Sequence, residues 1–539
     1  MKASRRWLAA PFGFLCIAIA IGAAAGREAR AASAASPLVT AQDTTGAGAT
    51  AQDSATATDA PPAAITPQSA AGAQGQAGEV ARQAREAVDT PLGARLISIV
   101  GMVALLGIGW LFSVDRRAIP WRILIWGVTL QFTFALFILR TPLGEGLFAT
   151  VNDIVVALLG FTVQGASFIF GDLVWNNVPV GTGEAGSNAP ITPIAGSVAR
   201  TGAFIAFNVL PTIIFFSSLM TLLYYLGVMQ FAVKGMAWVM QRTMRTSGAE
   251  TLSASGNIFL GQTEAPLLIK PFVSGMTMSE LHCVMTGGFA TVAGGVMAAY
   301  VGMLVFYFPD IAGHLLAASV MSAPAAIVFA KLMYPEKEVP ETRDSPGVTV
   351  QRTDANAIDA AARGASEGLR LAANVGAMLL AFIALIAVAD ALIGWISGWT
   401  GIGGLLQSIG ALEEGQDLRL QVILGWLLAP LAWLMGVPWS DATEVGGLLG
   451  VKTVVNEFVA YLELSSMLSG TETLAPRSII IVTYALCGFA NFSSIAIQIG
   501  GIGSIAPERR SDLARLGLRA MVAGTLAAFM TATIAGMLV

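Results

Sequence analysis

From about residue 96 to the end, the chain returns again and again to apolar runs of about 20 residues separated by short polar breaks. That pattern restricts the fold more than any single motif. A run of this length crosses the hydrocarbon layer as a helix, because backbone in lipid must satisfy its own hydrogen bonds. Charged residues are 12% of the chain and the mean hydropathy is +0.70, whereas soluble domains carry about 25% charged residues. The sequence predicts an all-α polytopic membrane protein embedded in a lipid bilayer. About eight spans are expected, near 96–114, 122–140, 202–226, 281–307, 311–334, 367–397, 478–500 and 513–538.

Residues 1–31 read as a signal peptide. Lys2, Arg5 and Arg6 precede an apolar core from Phe12 to Ala25, and Ala29-Arg30-Ala31 offers a small-x-small cleavage site. An uncleaved first helix is the alternative. Residues 32–90 are rich in Ala and Gly with few large apolar side chains, and are expected to form a disordered extracytoplasmic tail. Residues 141–200 read as an interfacial helix followed by a Gly/Pro/Asn loop. Met229 to Arg245 carries Lys234, Arg242 and Arg245 and reads as amphipathic. Most of the basic residues between spans fall on one side, among them Arg116, Arg117, Arg122, Lys337, Arg343, Arg509 and Arg510. The positive-inside rule makes that side cytoplasmic and puts both termini outside.

Two apolar regions are too interrupted to cross. One holds Gly261-Gln262-Thr263-Glu264-Ala265-Pro266, the other Asn456-Glu457-Phe458-Val459-Ala460-Tyr461. Their arms are about 10–12 residues, half of what a crossing needs, so 249–275 and 451–475 are expected to be re-entrant hairpins. Each follows similar strings: Met236-Ala237-Trp238-Val239-Met240 resembles Leu431-Ala432-Trp433-Leu434-Met435. Each precedes a glycine-broken helix, Thr286 to Gly295 and Cys487 to Ser494. The order of interfacial helix, hairpin and broken helix repeats from opposite sides. That is an inverted repeat with a site near the bilayer midplane.

A carboxylate at the centre of a span costs about 2.5–3.5 kcal/mol, so Glu264 and Glu457 each need a compensating role. One is to lock a hairpin tip by a buried hydrogen bond. The other is to bind a polar solute. Gln262, Thr263 and Glu264 offer donors and acceptors suited to the edge of a flat heterocycle, and Glu457, Asn491 and Ser494 suit a polyol. Phe489 and Phe492 either wall the site or pack. No basic residue is expected at the tips or breaks, which favours a neutral solute. Asn257 and Thr291 add oxygens that an alkali cation could use beside carbonyls freed where helices break. Cys16, Cys283 and Cys487 lie in apolar segments and form no metal or disulfide pattern, and His282 and His314 are assigned to helix ends or packing. There is no nucleophile–base pair and no P-loop, so the chain does not read as an enzyme. It lacks a basic patch with interleaved aromatics, so it does not read as a binder of nucleic acid polymers.

The two hairpin motifs, together with Gly488-Phe489-Ala490-Asn491-Phe492-Ser493-Ser494, resemble signatures of the concentrative nucleoside transporter family over residues 96–537. The resemblance implies a homotrimer and an elevator-type alternating-access symporter of nucleosides with sodium, in a bacterial-type inner membrane. It implies scaffold helices over 91–226 and 367–397, and a transport domain over 227–335 and 398–539, with 336–366 a cytoplasmic loop. It places the base near Gln262, Thr263, Glu264 and Val296, and the ribose near Glu457, Asn491 and Ser494 with Phe489 beside it. Sodium would be held by the side chains of Asn257 and Thr291 and the carbonyls of Leu260 and Val292. No organic cofactor is implied. A proton could replace sodium, since some relatives use protons, and a non-transporting nucleoside receptor is the alternative of another class.

Overall fold

The computed structural model describes residues 92–182, 192–343, 354–409, 417–470 and 474–539, together with Leu412 and Gly415. The expected signal peptide and tail, and part of the expected cytoplasmic loop, lie outside the described residues. Helix α1 is Leu92–Leu111, α2 Trp121–Arg140 and α3 Pro142–Phe170. A two-stranded antiparallel ribbon follows, β1 Asn177–Thr182 with β2 Thr192–Arg200. Helix α4, Leu210–Tyr225, is entered through a π-turn over Ile205–Val209.

Two similar series of elements then follow. The first has α5 Val228–Met244, a hairpin of α6 Gly248–Gly256 and a 3-10 arm Ala265–Gly275, a broken helix α7 Met278–Ala290 and α8 Gly294–Leu304, and α9 Ile311–Met333. The long α10, Ala357–Thr400, and the short α11, Ile402–Ser408, lead into the second. There α12 is Leu420–Leu434, the hairpin is α13 Ala442–Val454 and α14 Glu457–Leu468, and the broken helix is α15 Pro476–Leu486 and α16 Phe492–Ile505. Helix α17, Arg510–Leu538, ends the chain. Both expected hairpins and both broken helices are present, in the expected repeated order, but the second hairpin runs over 442–468 with its tip at 455–456, earlier than the expected 451–475.

Among the described residues, seven helical segments are long and apolar enough to cross a membrane. They include Pro142–Val174, where the sequence suggested only an interfacial helix and a loop. The reason is continuity: the glycines at 146, 160 and 165 do not interrupt the helix, and Thr141 caps it by accepting from the Gly144 N–H. The β-ribbon was not anticipated. Its strands are short and rich in Gly and Pro, so the period-2 signal is weak. The expected spans at 96–114 and 478–500 appear as α1 and as the pair α15–α16, whose halves are each shorter than a crossing.

Packing follows the repeat. The paired members α7–α8, α9 and α17 are buried in the middle, and α1 and α2 pack on α9 and α17. Helices α4 and α10 form a further close pair, and α4 also packs on α8. Gly364 and Gly368 let α10 lie against the α4 backbone, where a Cβ would come within 2.8 Å of Ser218 Cα and Ile214 Cα respectively.

Capping fixes the hairpin roots. Ser247 with Glu250 and Thr277 with Glu280 are capping boxes, each satisfying two orphan N–H groups at a helix start. Ser247 Oγ also donates to Glu280 at 2.6 Å, and buried Lys331 pairs with Glu250 at 2.7 Å and Glu336 at 3.1 Å. In the second series Asp441 accepts from Ala475 N at 2.9 Å and Ser478 Oγ at 2.6 Å, while Arg477 Nε donates to Gly436 O at 2.8 Å.

The two broken helices meet at their breaks. Phe489 N donates to Thr291 O at 3.3 Å. Gly488 has φ 153°, and a Cβ there would lie 2.8 Å from Phe289 O. Gly488→Ala is expected to destabilise the protein by about 1–3 kcal/mol, read as a lower unfolding midpoint in detergent. Gly146→Ala, where a Cβ meets nothing within 4 Å, is the control and should leave the midpoint unchanged or slightly raised.

Candidate functional site

The site grows from the places where helices stop. In the first hairpin α6 ends at Asn257, and the chain turns through 258–264 before the 3-10 arm. The tip is held against the first break by Gly294 N donating to Phe259 O at 3.0 Å. Gly287 and Gly288 permit this approach: a Cβ on Gly287 would meet Asn257 Nδ2 at 3.1 Å, and one on Gly288 would meet Gln262 Cβ at 2.9 Å. In the second hairpin Asn456 caps α14 by accepting from Val459 N at 2.9 Å, which sets Glu457 in the first turn. Asn491 caps α16 in the same way, accepting from Ser494 N at 2.9 Å. Asn491 and Ser494 are thus a cap and its N3 residue.

These caps bring four of the expected residues into one polar chain. Gln262 Nε2 donates to Ser494 Oγ at 3.2 Å. Asn491 Nδ2 donates to Glu457 Oε2 at 3.0 Å, and Tyr300 OH donates to Glu457 Oε1 at 2.9 Å. Gln262, Ser494, Asn491 and Glu457 are all buried. The tip of one hairpin is therefore joined to the tip of the other through the second break. Tyr300 is held by stacking on Tyr461, with ring centroids 4.4 Å apart.

The remaining expected residues sit around this chain. Glu264 folds back on its own tip, accepting from Gly261 N at 3.1 Å, and its side chain is otherwise open. No hydrogen bond joins it to the chain among the described residues. The Thr263 methyl packs at Gly501. Val296 is buried on α8, one turn after the break, and Phe489 packs against the main apolar core. Phe492 is 51% exposed, so it does not pack inside.

A second group of oxygens lies at the first break. Asn257 is fully buried, and neither Oδ1 nor Nδ2 has a hydrogen-bond partner. Thr291 caps the end of α7 and is buried, and its hydroxyl donates to Gly287 O at 2.9 Å, so its oxygen keeps the capacity to accept or to ligate. The carbonyls of Leu260 and Val292 accept no hydrogen bond among the described residues. Neutral oxygens of this kind suit a hard monovalent cation. Orphaned, buried amide atoms are costly unless something completes them, so the residues fit such an ion.

The expectation that no basic residue reaches these places is corrected. Lys452, on α13, is fully buried, and its Nζ donates to Ala485 O at 2.7 Å, a carbonyl freed where α15 ends. It also lies 5.8 Å from the Phe529 ring centre. Its side chain crosses from the hairpin to the break, which linear spacing does not reveal. Tyr300 and Gln498 were missed as well. Gln498 was findable, because it follows Ser494 by four residues and so shares its helix face. The histidines take packing roles as expected. His282 lies beside Tyr334, and His314 sits between Phe148 and Phe308.

Comparison with known proteins agrees with this geometry. The family description "Na+ dependent nucleoside transporter" matches at residues 100–173 by its N-terminal part and at 314–536 by its C-terminal part, and a nucleoside-recognition (Gate) description matches at 206–307. An uncharacterized transporter of Haemophilus influenzae is 43% identical over 452 residues, covering 82% of this chain and 98% of its own length. Sodium/nucleoside cotransporter 1 of Rattus norvegicus is 41% identical over 457 residues, covering 82% of this chain; the chain spans 64% of that relative's length. The solved structure of CNTnw in an inward-facing substrate-bound state has a TM-score of 0.71 at 41% identity, covering 83% of this chain and 98% of that one. A CNTnw variant in an outward-facing state gives 0.70 at 41% identity, covering 82% and 97%. The chain belongs to the concentrative, Na+-dependent nucleoside transporter family, as a multi-pass membrane protein.

Proposed function

We propose that this protein is a secondary active symporter that imports nucleosides on the sodium gradient. The observation that carries this reading is the continuous polar chain from Gln262 to Glu457, which joins the two hairpins beside the unpartnered Asn257. The base lies against Gln262, Thr263, Glu264 and Val296. The ribose hydroxyls meet Glu457, Asn491 and Ser494, with Phe489 beside them. Sodium, carried with the nucleoside, is bound by Asn257 and Thr291 and by the carbonyls of Leu260 and Val292. Binding there fastens the tip of the first hairpin to the first break, so ion binding organises the side of the site that holds the base.

Transport is by an elevator-type movement. The two hairpins and broken helices travel as one unit against a scaffold that includes α4 and α10, which pack on each other. The protein works as a homotrimer in a bacterial-type inner membrane, with both termini extracytoplasmic. One cation crossing ~100 mV contributes about 2.3 kcal/mol. A tenfold sodium gradient adds about 1.4 kcal/mol. Together they support about a few-hundredfold accumulation of a neutral nucleoside.

The test is uptake of radiolabelled uridine and adenosine into proteoliposomes under an inward sodium gradient, and separately under a pH gradient. Accumulation only with sodium is expected. Accumulation only with the pH gradient makes the coupling ion a proton. Binding without accumulation under either gradient makes the protein a receptor and rejects symport.

A further inference from the structure

Gln498 lies on α16, one turn beyond Ser494, and is fully buried. Its Nε2 is 3.1 Å from Met285 O and 3.1 Å from Gln262 Oε1. It is held through that nitrogen alone, since its Oε1 has no partner. The contact is built by close approach of three segments. A Cβ on Gly288 would lie 2.8 Å from Gln498 Nε2 and 2.9 Å from Gln262 Cβ.

The arrangement fixes an amide that would otherwise be free to turn. A backbone carbonyl only accepts, so the Gln498 atom facing Met285 O must be the amide nitrogen. The opposite placement would set acceptor against acceptor. That same nitrogen faces the end of Gln262. A nitrogen there would set donor against donor, so the facing atom of Gln262 is its oxygen. Gln262 Nε2 is therefore directed the other way, where it lies 3.2 Å from Ser494 Oγ. It has two hydrogens. One goes to Ser494, and the second is left for a ligand.

We propose that Gln498 is a positioning residue that sets base preference. By locking the Gln262 amide with its N–H toward the substrate, it selects bases that present a carbonyl acceptor there over bases that present an amine. The inference rests on the nucleoside reading of the site. The polarity is relayed from Met285 O through Gln498 to Gln262, so none of it depends on a contact between Gln498 and substrate.

Two substrate pairs differ in this respect at one position: uridine against cytidine, and inosine against adenosine. Equilibrium binding of all four to the purified full chain in sodium is the measurement. In the wild type the carbonyl member of each pair is expected to bind about fivefold tighter, the effect of one hydrogen bond. Gln498→Glu supplies, in its neutral form, one donor that Met285 O takes and one acceptor that faces Gln262. The Gln262 amide must then turn over, and both ratios are expected to reverse. Gln498→Met removes the lock, and both ratios are expected to fall toward one. Each ratio is taken within one preparation, so a lower folded fraction cancels, and loss of packing alone would not reverse it. Ratios within twofold of the wild type in both variants overturn the proposal. So does a wild type that favours the amine members, a result that needs no variant to fold. A wild type that binds none of the four rejects the nucleoside reading itself.

Discussion

Glu457→Gln is expected to weaken nucleoside binding by at least about 100-fold and to bring sodium-driven uptake to background. The carboxylate is buried and already accepts from Tyr300 OH at 2.9 Å and Asn491 Nδ2 at 3.0 Å. Each oxygen has capacity left for a further donor. A hydrogen bond from a hydroxyl to an ionised acceptor contributes about 1.5–3 kcal/mol, against about 0.5–1.5 kcal/mol to a neutral one; the amide nitrogen cannot accept from one ribose hydroxyl and the amide oxygen accepts more weakly from the other, a combined loss of about 2.5–4 kcal/mol. Glutamine keeps the shape and spares the fold. Asn491 Oδ1 already accepts from Ser494 N and Ser493 Oγ, so its Nδ2 is fixed as a donor. The new amide must therefore turn its oxygen to Asn491 and its nitrogen to Tyr300, whose hydroxyl can rotate to accept. Binding to the purified protein, with a melting curve beside it, checks this. An affinity within threefold of the wild type, in a folded protein, would leave Glu457 with the structural role of holding the hairpin to Tyr300.

The parts of this arrangement that the sequence disclosed are those where a local rule is broken. Gly261 to Pro266 and Asn456-Glu457 stand out because lipid tolerates neither loosened backbone nor carboxylates, and both are hairpin tips in the structure. What stayed hidden depends on how distant segments meet. Tyr300 is one more aromatic in an apolar helix until Glu457 is placed against it. Glu264 has the same credentials as Glu457 on paper, yet it turns back to cap Gly261. The difference lies in the turn that follows. Glu457 opens a regular α-helix, whereas Glu264 precedes a proline-containing 3-10 arm with non-helical geometry at Ile269. Lys452 lies five positions before Glu457, but its ammonium is used at Ala485, on another helix. Side-chain reach of that kind has no one-dimensional signature.

Asn257→Leu is expected to change the sodium response and the sodium-free stability in opposite directions. Asn257 is completely buried, with both amide atoms lacking partners, and it ends α6 where the hairpin meets Gly287, whose carbonyl accepts from Thr291. Each buried polar group left unsatisfied costs about 1–3 kcal/mol. Leucine has the same branching and the same number of side-chain heavy atoms, with bulkier methyl ends and nothing to satisfy. Without sodium the variant is therefore expected to unfold at a higher temperature than the wild type. Sodium should narrow that gap, and reverse the order only at concentrations far above its dissociation constant. A ligand at ten times its dissociation constant stabilises the state that binds it by about 1.4 kcal/mol, and only the wild type has the amide oxygen to gain this. In proteoliposomes the variant should lose at least about tenfold of the sodium stimulation of uptake. Melting curves across a sodium series, with choline replacing sodium at constant ionic strength, separate this from general salt effects. A sodium-dependent shift in the variant equal to that of the wild type would move the ion away from Asn257. A variant less stable than the wild type without sodium would show that removing the bare amide stabilises the protein less than fitting the bulkier leucine costs.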